Sequence, residues 1–271
     1  MGKDDVELPY WCWKAKNPKA IFIGLHGAFT HARRLRFVAE YLQKQGYTFY
    51  AYNQRGHGIE PVQPTDVKNY QDYVDDLYQV SLTVREQHMN QDLFLIGHSM
   101  GGLNSLAFAI QYPGIFKGVI VSSPWLDTAI KVSGAKLLIG GLIRRVKPTK
   151  TLGNEIIQEH LTHDKKVLAS HMADPLRSDY ITARWFFAMR AGQRETLDAA
   201  AELRIPCLIL QAGDDKIVNI EATKAFFEAA TATDKTYKEY DGFYHELFNE
   251  VKRKIVFEDI LEWLKKRTAI A

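Results

Sequence analysis

The 271-residue chain is 46% hydrophobic and 25% charged, a balance that excludes a disordered polymer and leaves enough apolar residues for one large core plus a modest insertion. Its net charge of +3 is too mild for a nucleic-acid binder, which needs a concentrated basic face and a matching motif, and no run approaches the roughly 18 apolar residues of a membrane span. Two cysteines, Cys12 and Cys207, cannot build a disulfide framework; both lie in apolar, strand-like contexts and are expected as reduced, packed thiols.

The opening MGKDDVELPYW holds no apolar signal core, and Val6 stands where a myristoylation motif has Ser or Thr, so the cytoplasm is the expected address. Tyr10 to Lys14 alternates aromatic and polar residues like an edge strand. After the Asn17-Pro18 turn, Ala20 to Leu25 forms a second strand that ends in His26-Gly27-Ala28. A helix from Ala32 to Gln45, closed by Gly46, leads to a third strand, Tyr47 to Tyr52, and then to Arg55-Gly56-His57-Gly58. A helix from Tyr70 to His88 precedes the apolar run Leu93 to Ile96. That run enters Gly97-His98-Ser99-Met100-Gly101-Gly102 and a helix stopped by Pro113. Alternating strands and helices imply right-handed crossovers and an α/β fold, a mostly parallel sheet covered by helices on both faces. Ligands in such sheets bind at the carboxyl ends of the strands, where the His26, Arg55 and Ser99 turns all fall.

Gly118 to Ser122 is the next strand, ending at Ser123-Pro124-Trp125, after which the rhythm breaks until Pro206. The intervening segment reads as helical throughout. The sheet resumes with Cys207 to Gln211, a helix from Ile220 to Ala230, a strand from Thr236 to Tyr240, and a last helix with Val256, Phe257, Ile260, Leu261 and Leu264 on one stripe. The predicted organisation is a core of residues 1–124 and 206–271 interrupted by a helical cap over 125–205.

Gly97-His98-Ser99-Met100-Gly101 has the G-x-S-x-G pattern of a serine lifted out of a tight strand-to-helix turn, where glycines two residues either side relieve crowding. A serine hydroxyl needs a histidine base, itself oriented by a carboxylate. Gln211-Ala212-Gly213-Asp214-Asp215 follows the first strand after the insertion; Asp215 is the expected acid, with Asp214 a spacer turned outward and Asp127 the runner-up. His245, in Asp241-Gly242-Phe243-Tyr244-His245-Glu246, is the histidine placed after the last strand. The backbone N–H groups of Ala28 and Met100 are the expected oxyanion donors. No cofactor is implied, and the spacings of His160, His163, Asp164 and His171 match no metal-ligand pattern.

These motifs, together with Ser123-Pro124 and Asp174-Pro175-Leu176, resemble the monoacylglycerol lipase and lysophospholipase-like branch of the α/β-hydrolases, grouped with serine aminopeptidase-like hydrolases, over nearly the whole chain. The resemblance implies hydrolysis of carboxylic esters with an apolar acyl chain through Ser99, His245 and Asp215 and an acyl-enzyme intermediate. Peptidase or acyltransferase chemistry on the same residues, and a non-catalytic ligand-binding homologue, are the alternatives. In monoacylglycerol lipases an acidic residue, an arginine and a second histidine hold the glycerol head group; the matching positions here are Thr30, Arg34 and Phe248, so only the arginine is kept. Phe29 and Trp125 complete the expected substrate-facing set.

Within the insertion, Lys131 to Lys150 carries Lys131, Lys136, Arg144, Arg145, Lys147 and Lys150 without an acidic residue, and encloses the apolar run Leu137 to Ile143. Too short to span a bilayer, that run suits either peripheral contact with a membrane or the lining of an acyl site.

Overall fold

A computed structural model describes residues 1–58, 62–130, 132–154 and 156–268. In chain order the strands are β1 (Tyr10–Trp13), β2 (Ile21–Leu25), β3 (Thr48–Tyr52), β4 (Leu93–His98), β5 (Gly118–Ser122), β6 (Thr151–Gly153), β7 (Tyr180–Thr182), β8 (Cys207–Ala212) and β9 (Lys235–Tyr240). The helices are α1 (Arg36–Lys44), α2 (Gln71–Gln87), α3 (Met100–Gln111), α4 (Gly134–Val146), α5 (Lys165–Met172), α6 (Ala183–Asp198), α7 (Ile220–Ala229) and α8 (Arg253–Lys265). Seven strands form one sheet in the order β1-β3-β2-β4-β5-β8-β9. Only the edge strand β1 runs antiparallel to its neighbour, pairing Trp11 with Ala51.

The central strands are buried on both faces, so their side chains divide by the two-residue pleat rather than by polarity. Ile21, Ile23, Leu93, Leu95, Val119, Val121 and Ile209 face the core beneath α2, α3 and α7. Their alternates Phe22, Phe94, Ile96, Ile120, Leu208 and Leu210 face the core beneath α1 and α8. In that second core Phe22 stacks on Phe94 at 5.6 Å and on Phe49 at 6.0 Å, and Trp263 of α8 meets Phe94 edge-on at 6.1 Å. Of the predicted α8 stripe, Val256, Phe257, Ile260 and Leu264 are buried and Leu261 half-buried; Trp263 joins them.

Between β5 and β8 the chain leaves the sheet to form the insertion. It is not wholly helical: β6 and β7 pair antiparallel, Leu152 opposite Ile181. Three residues per strand are too few for any period to register in sequence. The loop before α2 extends this ribbon, Thr65 donating to the Tyr180 carbonyl at 2.9 Å and accepting from the Thr182 N–H at 3.0 Å. Asp66 beside it pairs with Arg184 and takes a hydrogen bond from Thr182. A second correction concerns Cys12, which is exposed on the edge strand while Cys207 is buried; β1 covers one side only, and the alternation that marks an edge strand also turns every second residue outward. Among the described residues no helix is long and apolar enough to cross a membrane.

Because Phe94 is fully buried between two aromatic neighbours, Phe94→Ala is expected to lower unfolding free energy by about 3–5 kcal/mol, read from urea denaturation, with the folded state preserved.

Candidate active site

Ser99 occupies the single residue between β4 and α3, with φ 54° and ψ −115°. That left-handed backbone is unfavourable for a residue with a Cβ, by about 1–3 kcal/mol, and three hydrogen bonds hold it. Ser99 N–H donates to the Ser122 carbonyl at 2.9 Å, while its own carbonyl accepts from Leu103 and Trp125, each at 3.0 Å. The flanking glycines answer to space. A Cβ on Gly97 would lie 2.2 Å from the Gly101 carbonyl oxygen, and one on Gly101 would lie 2.2 Å from the Leu25 carbonyl oxygen. Strand β2 therefore ends hard against the start of α3.

The turn after β2 passes directly over the serine: a Cβ at Gly27 would be 3.4 Å from Ser99 Cβ. Beneath it, the Gln54 backbone N–H donates to His26 Nε2 at 3.0 Å, so the proton of His26 sits on Nδ1 and is donated to the Gly27 carbonyl at 2.7 Å. Burial drives the His26 pKa well below its usual range, keeping the ring neutral as this bonding requires. Gln54 also donates to the His26 carbonyl at 2.6 Å and accepts from Asn104 at 2.7 Å. In a trans peptide the C=O and the following N–H point in opposite directions; gripping the Gly27 carbonyl thus aims the Ala28 N–H. Met100 is the first residue of α3, so its N–H has no intrahelical acceptor and lies at the positive end of the helix dipole.

Asp215 and His245 are brought together because each follows the carboxyl end of one of the adjacent parallel strands β8 and β9. Asp215 Oδ2 lies 2.7 Å from His245 Nδ1, both side chains being almost wholly buried. Asp215 Oδ1 accepts from the N–H groups of Ile217 at 2.9 Å and Val218 at 3.0 Å. Burial alone would push the Asp215 pKa up; the charge and hydrogen bond of His245 and the two N–H groups outweigh it, leaving the carboxyl below its ordinary value. Asp214 is exposed, and Asp127 faces Asn219, whose amide donates to it at 3.0 Å. An imidazole whose Nδ1 is tied to a buried carboxylate presents Nε2 as its basic nitrogen. His98 packs its ring 4.8 Å from that of His245, and burial lowers its pKa to about 3, so this neighbour stays uncharged.

The other predicted contacts are distributed unevenly. Phe29 and Trp125 are half-buried and converge on Trp185 of α6, at 5.7 and 5.9 Å between ring centres. Trp185, itself fixed by a 2.8 Å bond to Tyr73 Oη, was not singled out in sequence because a tryptophan in a helical run reads as core. Thr30 is buried, and Phe248 lies in the second core, 6.1 Å from His98. Arg34 is gripped by Glu246, with Nε at 3.2 Å and Nη2 at 2.5 Å from the two carboxylate oxygens. Glu246, also missed, follows His245 directly; a charge set against the apolar pair Leu247-Phe248 was its one signal. Although burial favours the neutral acid, Arg34 drives the Glu246 pKa down to about 2. His163 meets Glu250, Asp164 caps α5, and His171 meets Gln158.

Comparison with known proteins places these positions in context. A family profile described as serine aminopeptidase, S33, matches residues 16–252. The monoglyceride lipase of Rattus norvegicus is 30% identical over 264 residues, covering 96% of this chain and 87% of that protein. The phospholipase YtpA of Bacillus subtilis is 29% identical over 251 residues, covering 92% and 96%. Among solved structures, a soluble variant of the Saccharomyces cerevisiae monoglyceride lipase in complex with a substrate analogue superposes with a TM-score of 0.89 at 22% identity, over 99% of this chain and 94% of that one.

The Arg34–Glu246 pair has a pH signature. Because the folded pKa of Glu246 lies below its usual 4.5, its stabilisation is complete above pH 4.5 and is lost as pH falls toward 2. Arg34→Met strands the carboxylate and is expected to cost about 3–5 kcal/mol at pH 7, with much less difference from the native chain at pH 3, both read from denaturant titrations.

Proposed function

Since the chain belongs to the serine aminopeptidase S33 family of α/β-hydrolases, we propose that it hydrolyses carboxylic esters with an apolar acyl chain, using Ser99, His245 and Asp215 as nucleophile, base and orienting acid. The observation that carries this reading is the buried 2.7 Å contact between His245 and Asp215 on the same rim as Ser99, whose backbone is strained at its turn. In the first half-reaction His245 Nε2 takes the Ser99 proton as Oγ adds to the ester carbonyl. The oxyanion is received by the N–H groups of Ala28 and Met100, a kind of donor typically worth about 3 kcal/mol each. The imidazolium then protonates the leaving alcohol. Water, deprotonated by the same nitrogen, releases the acid from Ser99.

The aromatic group Phe29, Trp125 and Trp185 favours an apolar acyl chain. Relatives named monoglyceride lipase and phospholipase support monoacylglycerols and lysophospholipids as the substrate class, alongside simple esters. Ser99→Ala is expected to reduce kcat about a millionfold on p-nitrophenyl esters of two to sixteen carbons and on monoglycerides, and to abolish labelling by a fluorophosphonate probe. A fully labelled mutant would contradict the assignment.

We further propose that α4 rests on anionic lipid. Its outward stripe exposes Leu138 at 70%, Ile139 at 58%, Leu142 at 60% and Val146 at 86%, while Gly140 and Arg144 turn inward to Phe187. Arg145, Lys147 and Lys150 border the stripe and are exposed; Lys131, the first of the basic residues in this segment, lies outside the described residues. A basic side chain near an anionic surface contributes about 1 kcal/mol. Replacing Arg145, Lys147 and Lys150 by Glu is therefore expected to weaken co-sedimentation with phosphatidylserine vesicles about a hundredfold or more, while hydrolysis of a short soluble ester is unaltered. Unchanged vesicle binding, with or without slower hydrolysis of the soluble ester, would point to a lid function alone.

A further inference from the structure

The loop that carries His245 contains another buried carboxylate, which the chemistry above leaves unused. Glu250 is 3% exposed and accepts from donors on both sides of the loop. Its Oε1 accepts from the Tyr244 N–H at 3.1 Å, the His163 N–H at 3.1 Å and His163 Nδ1 at 2.8 Å. Its Oε2 accepts from the Val251 N–H at 2.9 Å. One side chain thus bridges the residue before His245, the residue that ends the loop, and a residue of the insertion 87 positions away.

Neighbouring contacts run along the same seam. Glu246 N–H donates to the Leu161 carbonyl at 2.8 Å, His245 N–H to the His160 carbonyl at 3.5 Å, and Thr162 Oγ1 to the Asn249 carbonyl at 3.0 Å. The His163 ring stacks on Tyr244 at 3.7 Å between centres. By contrast, among the described residues the His245 side chain is hydrogen-bonded through Nδ1 only, with the His98 ring packed beside it, and its own backbone bond is long. A ring bonded at one atom and packed by one neighbour takes its remaining orientation from the peptide that carries it.

We propose that Glu250 is a positioning residue: by clamping residue 244 and the loop end to His163, it makes residues 160–163 and the His245 backbone one unit and sets the approach of Nε2 to the serine. The proposal rests on His245 being the base. Losing the carboxylate frees the Tyr244 peptide and lets the ring drift about Nδ1, and misplacement of about 1 Å at a reacting group typically costs about a hundredfold in rate. Glutamine at 250 can keep the Oε1 bonds, but its amide would face the Val251 N–H, so it should restore most of the function.

The test uses the full-length protein and p-nitrophenyl butyrate. Glu250→Ala should lower kcat about a hundredfold with KM changed less than about threefold, and Glu250→Gln should recover to within about tenfold of wild type. The low-field proton resonance of His245 Nδ1 should broaden or shift in Glu250→Ala and return in Glu250→Gln. His163→Phe, which keeps a ring on Tyr244 but removes the Nδ1 bond, serves where Glu250→Ala fails to fold; it should lower kcat several-fold. Wild-type kcat and an unmoved resonance in folded Glu250→Ala or, where that variant fails to fold, in His163→Phe, with the variant merely less heat-stable, would overturn the positioning role. His245→Ala, run alongside, should be inactive; if it kept wild-type kcat, the base assignment itself would fall.

Discussion

The rest of the site depends on a steric fact at the junction of β4 and α3. The Leu25 carbonyl, the Gly97–Gly101 turn and the first turn of α3 occupy a volume that admits no methyl group. Because nothing can be inserted there, the ends of β2, β4 and β5 are brought into one frame. Ser99 takes its strained backbone from that frame, held by the Ser122 carbonyl on one side and Trp125 on the other. The Gly27 turn crosses the serine at van der Waals distance for the same reason. Preorganisation in this protein begins as exclusion of volume, and hydrogen bonds then choose among the few conformations left.

Electrically, the interior around the serine is kept quiet. Burial lowers the pKa of His57 to about 4 and of His98 to about 3, and pushes His26 lower than its usual range too. Three rings that would take up a proton in water below about pH 6.5 therefore stay neutral structural parts, hydrogen-bonded as donors or acceptors. Of the carboxylates in the vicinity, Glu246 is paired with Arg34, and Asp215 is held by hydrogen bonds from His245 and from the Ile217 and Val218 N–H groups. In such surroundings a charge developing at the serine would meet oriented N–H groups in a region of weak screening, where each counts for more than in water.

Much of this was legible in the chain itself. The parallel sheet followed from apolar runs alternating with helical periods, and the preference for Asp215 over Asp214 followed from spacing after β8; the structure sets Asp215 against His245 and turns Asp214 outward. Local patterns can carry information of that kind. The β6–β7 ribbon escaped because its strands are shorter than any detectable period. Arg34 with Glu246, and His163 with Glu250, escaped because each pair joins residues 212 or 87 positions apart, and a single sequence holds no trace of which distant charges meet. Cys12 was misjudged because the alternation marks an edge strand without saying which of its two faces meets solvent, and Cys12 shares the outward one with Tyr10.

The ties between the insertion and the core bear on how the molecule is assembled. The insertion lands on the Phe29 carbonyl through Ser178, on Thr65 and Asp66 through β7 and Arg184, and on the histidine loop through residues 160–163. These landing points come from both halves of the sheet, and each contact closes a loop of tens to more than a hundred residues. Loop closure of that length is favoured only once the sheet has drawn its strands together. The course of the insertion is accordingly set by the core beneath it. Grafted onto another sheet without those footholds, it would lose the contacts that fix where it runs.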